Sequence, residues 1–331
     1  MILLLSRRRG ESTTDGVSDW LAHRGARFFR LNAEDLEYPS RFSYSPMTRV
    51  LRLDGGAALS LADVKVVWYR RWTWFERYHR EHIDPVFEDE HRQLELVKYL
   101  EAELGAVGQA VFSGLRHARW LSDGTSSKVD KTRVLSIAAE VGLAVPDSVI
   151  ATTREAVLEF KAAHGRVITK SLSGRPFQIG LGASGVAAYT SEVDVAVLEE
   201  GPEVFFPSLV QERIEKVYEI RSFVLGDRVW SMAIFSQGDR KTETDFRRYN
   251  DERPNRCVPY QLPPDVQTRL LALMRKLGLD TGSADLVRDV NGRLVFLEVN
   301  PVGQFGMTSG PCNYHLEREV ASYLMDHAQE R

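Results

Sequence analysis

Apolar runs and amphipathic stretches alternate along the first third of the chain. Residues 2–5 and 64–69 are short apolar runs bounded by polar residues, a pattern that is typical of buried strands. Residues 89–104 place apolar side chains near helical spacing and predict a long amphipathic helix. Weaker patterns add a helix over residues 17–23 and a strand over residues 27–31. The alternation predicts a small, mainly parallel sheet with helices packed against it.

The middle of the chain carries helix patterns with clear ends. Residues 127–141 have helical spacing, and Gly142 with Pro146 beyond it ends this predicted helix. Thr152-Thr153-Arg154-Glu155 fits a capping box for a second helix. Further along, the pattern predicts strands over residues 166–172, 186–189 and 208–212, a hairpin of 220–225 with 228–235, and a helix over 264–277. The sequence thus predicts mixed α/β structure throughout.

A hairpin pattern covers residues 284–301, where two strand-like runs are joined by Asn-Gly, a strong turn signal. Asp285 lies on the first run, and Glu298 and Asn300 lie on the second. Alternate residues of a strand share a face, so Glu298 and Asn300 project together, and a hairpin register could bring Asp285 beside them. Carboxylates are costly to bury without partners but suit Mg²⁺. The pattern therefore predicts a divalent-metal site.

Composition and charge narrow the class of protein. The 331 residues are 43% hydrophobic and 27% charged, which is typical of a globular protein with two or three lobes. The net charge of -3 offers no global attraction for nucleic acid, and no apolar run approaches the ~20 residues that span a bilayer. The two cysteines fit neither a metal spacing nor a disulfide framework, and the opening apolar run is too short for a signal peptide. We therefore expect a cytoplasmic protein that binds neither nucleic acid nor membrane.

Two lysines precede a glycine-rich segment in the sequence. Lys131 lies in the helix predicted over residues 127–141, and Lys170 lies on an apolar strand that leads into a loop with Gly174, Gly180 and Gly182. A lysine on such a strand either extends to solvent or reaches a cleft. A flexible loop with bare amides suits a polyphosphate, whose charge an adjacent lysine would offset. Both interpretations of Lys170 remain open on these residues alone.

Polar residues also follow the next strands. Gln211 and Glu212 end a predicted strand and could contact an adenine through backbone and side chain. Glu219 and Arg221 share one face of the following strand, where a simple ion pair is the plainer interpretation. On these residues alone, Glu219 and Arg221 could have either a structural or a functional role.

Arginines in loops form another group. Arg247 and Arg248 stand in a polar segment after a strand, and Arg70 and Arg71 follow a buried strand. Arginine binds phosphates and carboxylates in bidentate fashion and stabilises developing negative charge. A solvated loop is the plainer interpretation of the first pair, and bracing of the first lobe is the favoured interpretation of the second.

Taken in order, these residues resemble the ATP-grasp superfamily of carboxylate-amine ligases. The matching segments are Lys131, Lys170 with its glycine loop, Gln211-Glu212, Glu219-Ile220-Arg221, Asp245-Phe246-Arg247 and Asp285 with Glu298-Val299-Asn300-Pro301. Trp68-Tyr69-Arg70-Arg71 further resembles a strand of the peptide maturases that build graspetides of the microviridin and plesiocin kind. The resemblance implies an α/β ATP-grasp fold in three lobes, residues 1–121, 122–206 and 207–331, with ATP between the second and third.

The resemblance also implies site residues. ATP would contact Lys131, Lys170, Gln211, Glu212 and Glu219. Asp285, Glu298 and Asn300 would hold Mg²⁺. The charges that assist catalysis would be those of Lys170, Arg221 and Arg247. The substrate would be bound by Arg71, Arg213 and Arg248.

The implied substrate is a ribosomally made precursor peptide with leader and core segments. One of its side-chain carboxylates would attack the γ-phosphate of ATP to give an acyl phosphate. A Ser or Thr hydroxyl or a Lys amine of the same peptide would then displace phosphate and close an ester or amide ring. The protein would mainly position groups and stabilise charge. No general base is evident unless Asp245, His315 or the peptide itself serves, and a homodimer is the expected assembly.

Two rival functions remain open. One is another ligase of the same superfamily, such as a glutamate-adding or dipeptide ligase, against which the Trp-Tyr-Arg-Arg strand counts. The other is a non-catalytic ATP-binding or peptide-binding module, against which the three metal-ligand residues count.

Overall fold

The computed structural model describes residues 1–37, 39–72, 86–121, 130–172, 190–237 and 254–329, together with the backbone of two short strands at 178–179 and 186–187. The chain forms two compact units. The first combines Met1–Ser127 with His315–Arg331, and the second is Lys128–Tyr314. The C-terminal helix therefore belongs with the first unit, although the sequence analysis assigned it to the third lobe.

The strands and helices confirm the expected mixed α/β class. The strands are β1 (Ile2–Ser6), β2 (Phe28–Asn32), β3 (Phe42–Ser45), β4 (Val50–Leu53), β5 (Ala58–Ser60), β6 (Val66–Tyr69), β7 (Arg119–Leu121), β8 (Ser148–Thr153), β9 (Val167–Lys170), β10 (Gln178–Ile179), β11 (Val186–Ala187), β12 (Ser191–Glu192), β13 (Val204–Glu212), β14 (Lys216–Leu225), β15 (Arg228–Phe235), β16 (Arg256–Tyr260), β17 (Thr281–Asp289) and β18 (Leu294–Asn300). The helices are α1 (Ser12–His23), α2 (Glu90–Gly114), α3 (Lys131–Glu140), α4 (Arg154–His164), α5 (Val195–Glu200), α6 (Pro264–Leu277), α7 (Gly306–Cys312) and α8 (Leu316–Gln329).

The first unit is built on the predicted parallel sheet. Its strand order is β2-β1-β6-β7, and all three pairings are parallel. Every residue of β1 is buried, as expected for a central strand of a sheet that is covered on both faces. Leu3, Val67, Trp72 and Leu115 belong to its core. A second, antiparallel sheet of β3, β4 and β5 was not predicted.

The start of α4 and the end of α6 lie where the sequence carries residues that cap helices. The Thr153 side chain accepts a hydrogen bond from the Ala156 amide at 3.3 Å and begins α4. Helix α6 has the predicted bounds and ends at Gly278, whose φ of 69° suits a glycine. Helix α2 begins one residue later than predicted and ends ten residues beyond its predicted end. Residues 127–129 of the predicted 127–141 helix lie outside the described residues.

The second unit contains two larger sheets. One has the order β12-β9-β13-β8 and the other β16-β15-β14-β17-β18. Val210 and Val167 of the first sheet pack against α4 residues such as Val157. Helices α3 and α6 cover one face of the second sheet, where Phe296 and Leu270 are fully buried. Strand β13 runs across the boundary proposed at 206/207, and the three-lobe division itself stays a prediction.

Among the described helices, none combines the length and the apolar composition that crossing a bilayer requires.

A buried ion-pair group braces the first unit. The Glu11 carboxylate lies 3.3 Å from Arg70 Nη2 and 3.1 Å from Arg71 Nη1. Burial lowers the pKa of the Arg70 guanidinium to about 10 while Glu11 acts in the opposite direction, so Arg70 remains a cation at neutral pH. Arg71 has a φ of 50°, a conformation that side chains with a Cβ adopt at a cost. The bracing role expected for Arg70 is consistent with these contacts.

Glu11→Gln should lower the free energy of unfolding by about 3–5 kcal/mol, because it leaves two arginines without their buried counter-charge. Denaturant unfolding followed by tryptophan fluorescence would measure the loss, since Trp68 lies 5.4 Å from the Arg70 guanidinium. Glu95→Gln is the matched control, because the Glu95–Lys98 pair is exposed and contributes ~0–1 kcal/mol. Equal midpoints for the two variants would contradict the bracing role.

Candidate functional site

The predicted register of the β17–β18 hairpin is confirmed. Asp285 lies directly opposite Glu298, and Ser283 lies opposite Asn300. The register shifts by one residue after Asp285, so Leu297 is the extra residue of a bulge. Asp285 and Glu298 therefore project from neighbouring strands on the same face, as a metal site requires.

The turn of this hairpin is wider than the predicted Asn-Gly pair. The Asp289 side chain accepts hydrogen bonds from the Asn291 amide at 3.0 Å and the Arg293 amide at 2.7 Å. Gly292 has a φ of 83°, which explains the glycine. Asp289 thus stabilises a four-residue connection and fixes the hairpin register.

Arg221 supplies the counter-charge for Asp285. The two residues face each other across β14 and β17, and Arg221 Nη1 donates to both Asp285 oxygens, at 2.8 and 3.1 Å. Both side chains are largely buried, and Arg221 Nη2 also lies 3.5 Å from the Gln304 carbonyl. This charge-assisted pair places a positive charge directly against the Asp285 carboxylate inside the sheet.

Glu219 stands two residues earlier on the same face of β14. Its Oε1 atom is bonded by Lys216 Nζ and, at 3.1 Å, by Ser236 Oγ. Burial raises the pKa of the Glu219 carboxyl, Lys216 and Ser236 act in the opposite direction, and the charge of Asp285 adds to the increase. Gln237 donates to Ser236 Oγ at 3.1 Å and extends the network. Sequence analysis missed Lys216, Ser236 and Gln237, because no motif links the two strands that carry them.

The other sheet of the unit forms the opposite wall of a pocket. Lys170 faces Leu209, and Ile168 faces Gln211, across β9 and β13. Gln211 is buried, and its amide donates to Ser148 Oγ at 2.8 Å. These side chains alternate with Val210 and Val167, which pack on α4.

The pocket between these walls has a volume of about 320 Å³. Its lining brings together most of the predicted nucleotide and metal residues, namely Lys170, Gln211, Glu212, Glu219, Asp285 and Glu298. Arg213, which was predicted to bind the substrate, also lines the pocket. It also includes Lys216, Gln237 and Arg166, which were not predicted. The volume lies in the range of small-molecule sites, and the oxygen donors at its Asp285–Glu298 end fit Mg²⁺.

Glu212 and Arg213 line the pocket but have other side-chain partners. Glu212 Oε2 lies 3.4 Å from the Asp147 amide, on the face of β13 that packs on α4. Arg213 Nη1 donates to Glu192 at 2.8 Å.

Four of the predicted residues that the structure describes lie outside the lining, namely Arg221, which is described above, and Lys131, Asn300 and Arg71. Lys131 Nζ donates to the Ser171 carbonyl at 3.0 Å, immediately after Lys170. Asn300 Oδ1 accepts from the Val302 amide at 3.0 Å and so orders the turn after β18. Arg71 belongs to the other unit, where it pairs with Glu11.

The remaining predictions fall in segments that are not described. Arg247, Arg248 and Asp245 lie in residues 238–253, and the glycines at 174–185 lie in residues 173–177 and 180–185. Their roles stay predictions.

Comparison with solved structures shows the ATP-grasp fold. The chain matches a RiPP-associated ATP-grasp ligase of Chryseobacterium gregarium in complex with ADP and a leader and core peptide, with a TM-score of 0.80 and 24% identity over 98% of this chain and 95% of that one. It matches the macrocyclase MdnC of Microcystis aeruginosa bound with precursor peptide MdnA, with a TM-score of 0.78 and 25% identity over 98% and 99%. The ligase PsnB, complexed with minimal precursor, Mg and ADP, gives 0.76 and 18% over 99% and 97%.

Sequence comparison agrees at the level of the superfamily. Residues 1–127 match the family model of the MvdD pre-ATP grasp domain. A probable alpha-L-glutamate ligase of Histophilus somni is 30% identical over 177 residues, which cover 52% of this chain and 54% of that protein. The chain therefore matches only about half the length of such curated relatives.

The chain therefore has the fold of the ATP-grasp ligases, and its sequence matches point to the same superfamily. Over nearly its whole length it resembles ligases and a macrocyclase whose structures hold a bound precursor peptide, which is the resemblance that the sequence analysis expected.

The raised pKa of Glu219 gives a pH-dependent prediction. The folded state binds this proton more tightly than the unfolded chain does. Ionisation of Glu219 therefore lowers the free energy of unfolding as the pH rises from 4.5 to the raised pKa of the folded state. The difference in melting temperature, Glu219→Gln minus wild type, should therefore increase between about pH 4 and pH 7 in calorimetry. Glu95→Gln, at an exposed site on α2, should show no such increase. A flat or falling difference for Glu219→Gln would contradict the raised pKa.

Proposed function

We propose that this protein is an ATP-dependent ligase that closes ester or amide rings in a ribosomally made precursor peptide. The observation that carries the proposal is the pocket of the second unit. One wall presents Asp285 and Glu298 from a hairpin, and the other presents Lys170 and Gln211 from a different sheet. Such a pocket can hold a polyphosphate at its acidic end through Mg²⁺ and a base at its other wall.

The nucleotide roles follow from the sheet faces. Gln211 and the backbone of Glu212 would contact the adenine, and Lys170 would reach the phosphates. Glu219 would contact the ribose through Oε2, because Lys216 and Ser236 both donate to its Oε1 atom. Lys131, bonded to the Ser171 carbonyl, would hold the start of the glycine-rich segment near the phosphates.

Asp285 and Glu298 would hold Mg²⁺, with Asn300 two residues further along the strand. The ion would offset phosphate charge, and Arg221 would hold the Asp285 side chain in position when the ion is absent.

The chemistry assigned to this site transfers the γ-phosphoryl group to a carboxylate of the peptide, which yields ADP and an acyl phosphate. A hydroxyl or amine of the same peptide then attacks the acyl carbon, loses its proton and releases inorganic phosphate. Arg247 and Arg221 would stabilise the negative charge that develops. The net change is the loss of one water molecule from the peptide for each ring.

Peptide binding is assigned to Arg213, Arg248 and Arg71. Arg213 is bonded to the partly exposed Glu192, which an acidic side chain of the peptide would replace. Arg71 would keep its buried partner Glu11 and would contact the peptide through the exposed part of its side chain. A homodimer is included in the proposal, and light scattering that gave the mass of one chain under assay conditions would exclude it.

The second candidate function is addition of glutamate to a substrate. It is favoured by the 30% identity to probable alpha-L-glutamate ligases, over about half of the chain. The match of residues 1–127 to the MvdD pre-ATP grasp domain supports the peptide-cyclising function instead.

Coexpression with the peptide encoded beside its gene, followed by mass spectrometry, separates the two functions. Cyclisation should make the peptide lighter by one or more water masses and should give no product heavier than the starting peptide. Products heavier by whole residues would support glutamate addition and reject cyclisation. Peptide of unchanged mass, with no ADP released, would support a non-catalytic module.

Glu298→Gln should reduce peptide-dependent ADP release by about 10²-fold or more, because a metal ion contributes several kcal/mol of charge stabilisation. ADP release would be followed in a coupled assay, with circular dichroism as the check that the fold is intact. Glu95→Gln makes the same chemical change at an exposed site and should retain activity. Wild-type turnover of a folded Glu298→Gln variant would refute the metal assignment.

A further inference from the structure

A second group of metal-ligating side chains lies behind the nucleotide wall. Asp147, His164 and Glu212 each place one ligand atom within 4.8 Å of the other two. None of them belongs to the Asp285–Glu298 pair. The three residues come from three separate segments, so the fold and not a local motif brings them together.

The sheet faces explain how this group is assembled. Val210 of β13 packs toward α4, and Glu212, two residues later, projects on that same face. Helix α4 ends at His164, where Gly165 with a φ of 74° stops it. The Glu212 amide donates to the Asp147 carbonyl at 2.9 Å, which aligns the segment before β8 with the end of β13.

The side chains are held close to a coordinating arrangement. His164 Nδ1 lies 3.8 Å from Asp147 Oδ2, and Glu212 Oε2 lies 3.4 Å from the Asp147 amide. The His164 ring packs against Phe160 with centroids 4.3 Å apart, which limits its rotation. Tetrahedral ligands at about 2.0–2.2 Å from an ion stand ~3.3–3.6 Å from one another, so ligand atoms that all lie within 4.8 Å of one another need only small side-chain movements to coordinate an ion, with water as a fourth ligand.

The chemistry of the group selects the kind of ion. Two carboxylates and a neutral imidazole carry net negative charge and attract a divalent cation. Imidazole nitrogen suits Zn²⁺ and its neighbours in the first transition series, whereas Mg²⁺ prefers oxygen ligands only.

We propose that Asp147, His164 and Glu212 form a binding site for a divalent transition-metal ion of the Zn²⁺ class, separate from the Mg²⁺ site. A bound ion would join the end of α4 to the end of β13. Because Gln211 precedes Glu212 and faces the nucleotide pocket, the ion would stabilise the wall of that pocket from behind. The proposal does not depend on the ligase function.

Titration of the full chain with Co²⁺, in the presence of excess Mg²⁺, tests the site. Co²⁺ bound by nitrogen and oxygen ligands absorbs visible light, and added Zn²⁺ should displace it. Wild-type protein should bind one equivalent of Co²⁺. His164→Gln and Asp147→Asn should each weaken binding by about tenfold or more, since each removes a ligand. Neither residue is assigned to nucleotide or peptide binding.

His91→Gln is the matched control, because His91 is exposed on α2 and should bind no ion in this site. Equal Co²⁺ affinity of the wild type, His164→Gln and Asp147→Asn would overturn the proposal. A loss in His91→Gln as large as that in His164→Gln would also overturn it, because binding would then be adventitious. Asp147 is exposed, so Asp147→Asn decides the matter even if His164→Gln fails to fold.

Discussion

A row of three charged residues across the five-stranded sheet is the constraint on which the site depends. Arg221, Asp285 and Glu298 occupy facing positions on β14, β17 and β18. Their neighbours Ala284 and Val299 face the core beneath α3 and α6. A slip of one residue would turn both carboxylates into that core, where charges without partners are costly. Burial of the apolar face of the sheet therefore selects the strand register that places Arg221, Asp285 and Glu298 side by side.

The two sheets of the second unit contribute different chemistry to one pocket. The five-stranded sheet supplies the acidic end and the Lys216–Glu219–Ser236 network. The four-stranded sheet supplies Lys170 and Gln211 on one face, while its other face packs on α4 and carries the Asp147–His164–Glu212 group. Strand β13 thus has a different role on each face, and the period of two in strand geometry separates them.

Secondary structure was predictable where the pattern was regular and the end signals were local. Helix α6 and strand β15 have the predicted bounds, and α4 begins within the predicted segment Thr152-Thr153-Arg154-Glu155, with Thr153 as its cap. Strands β3 to β5 were missed because each has only three or four residues, too few to establish alternation against a polar background. Helix α2 extends ten residues beyond its predicted end because Gly105 and Gly108, which weaken a helix pattern, are tolerated inside it.

The sequence by itself determined the β17–β18 hairpin and the shared face of its candidate metal ligands, because these depend on strand period and turn chemistry. Only the tertiary structure decided which predicted residues have partners elsewhere. Arg213 binds Glu192, and Arg71 binds Glu11 sixty residues earlier in the chain. Glu212 directs its carboxylate to Asp147 on the far face of its strand. These outcomes depend on contacts between segments distant in sequence, and no local pattern encodes which acidic residue a given arginine will meet.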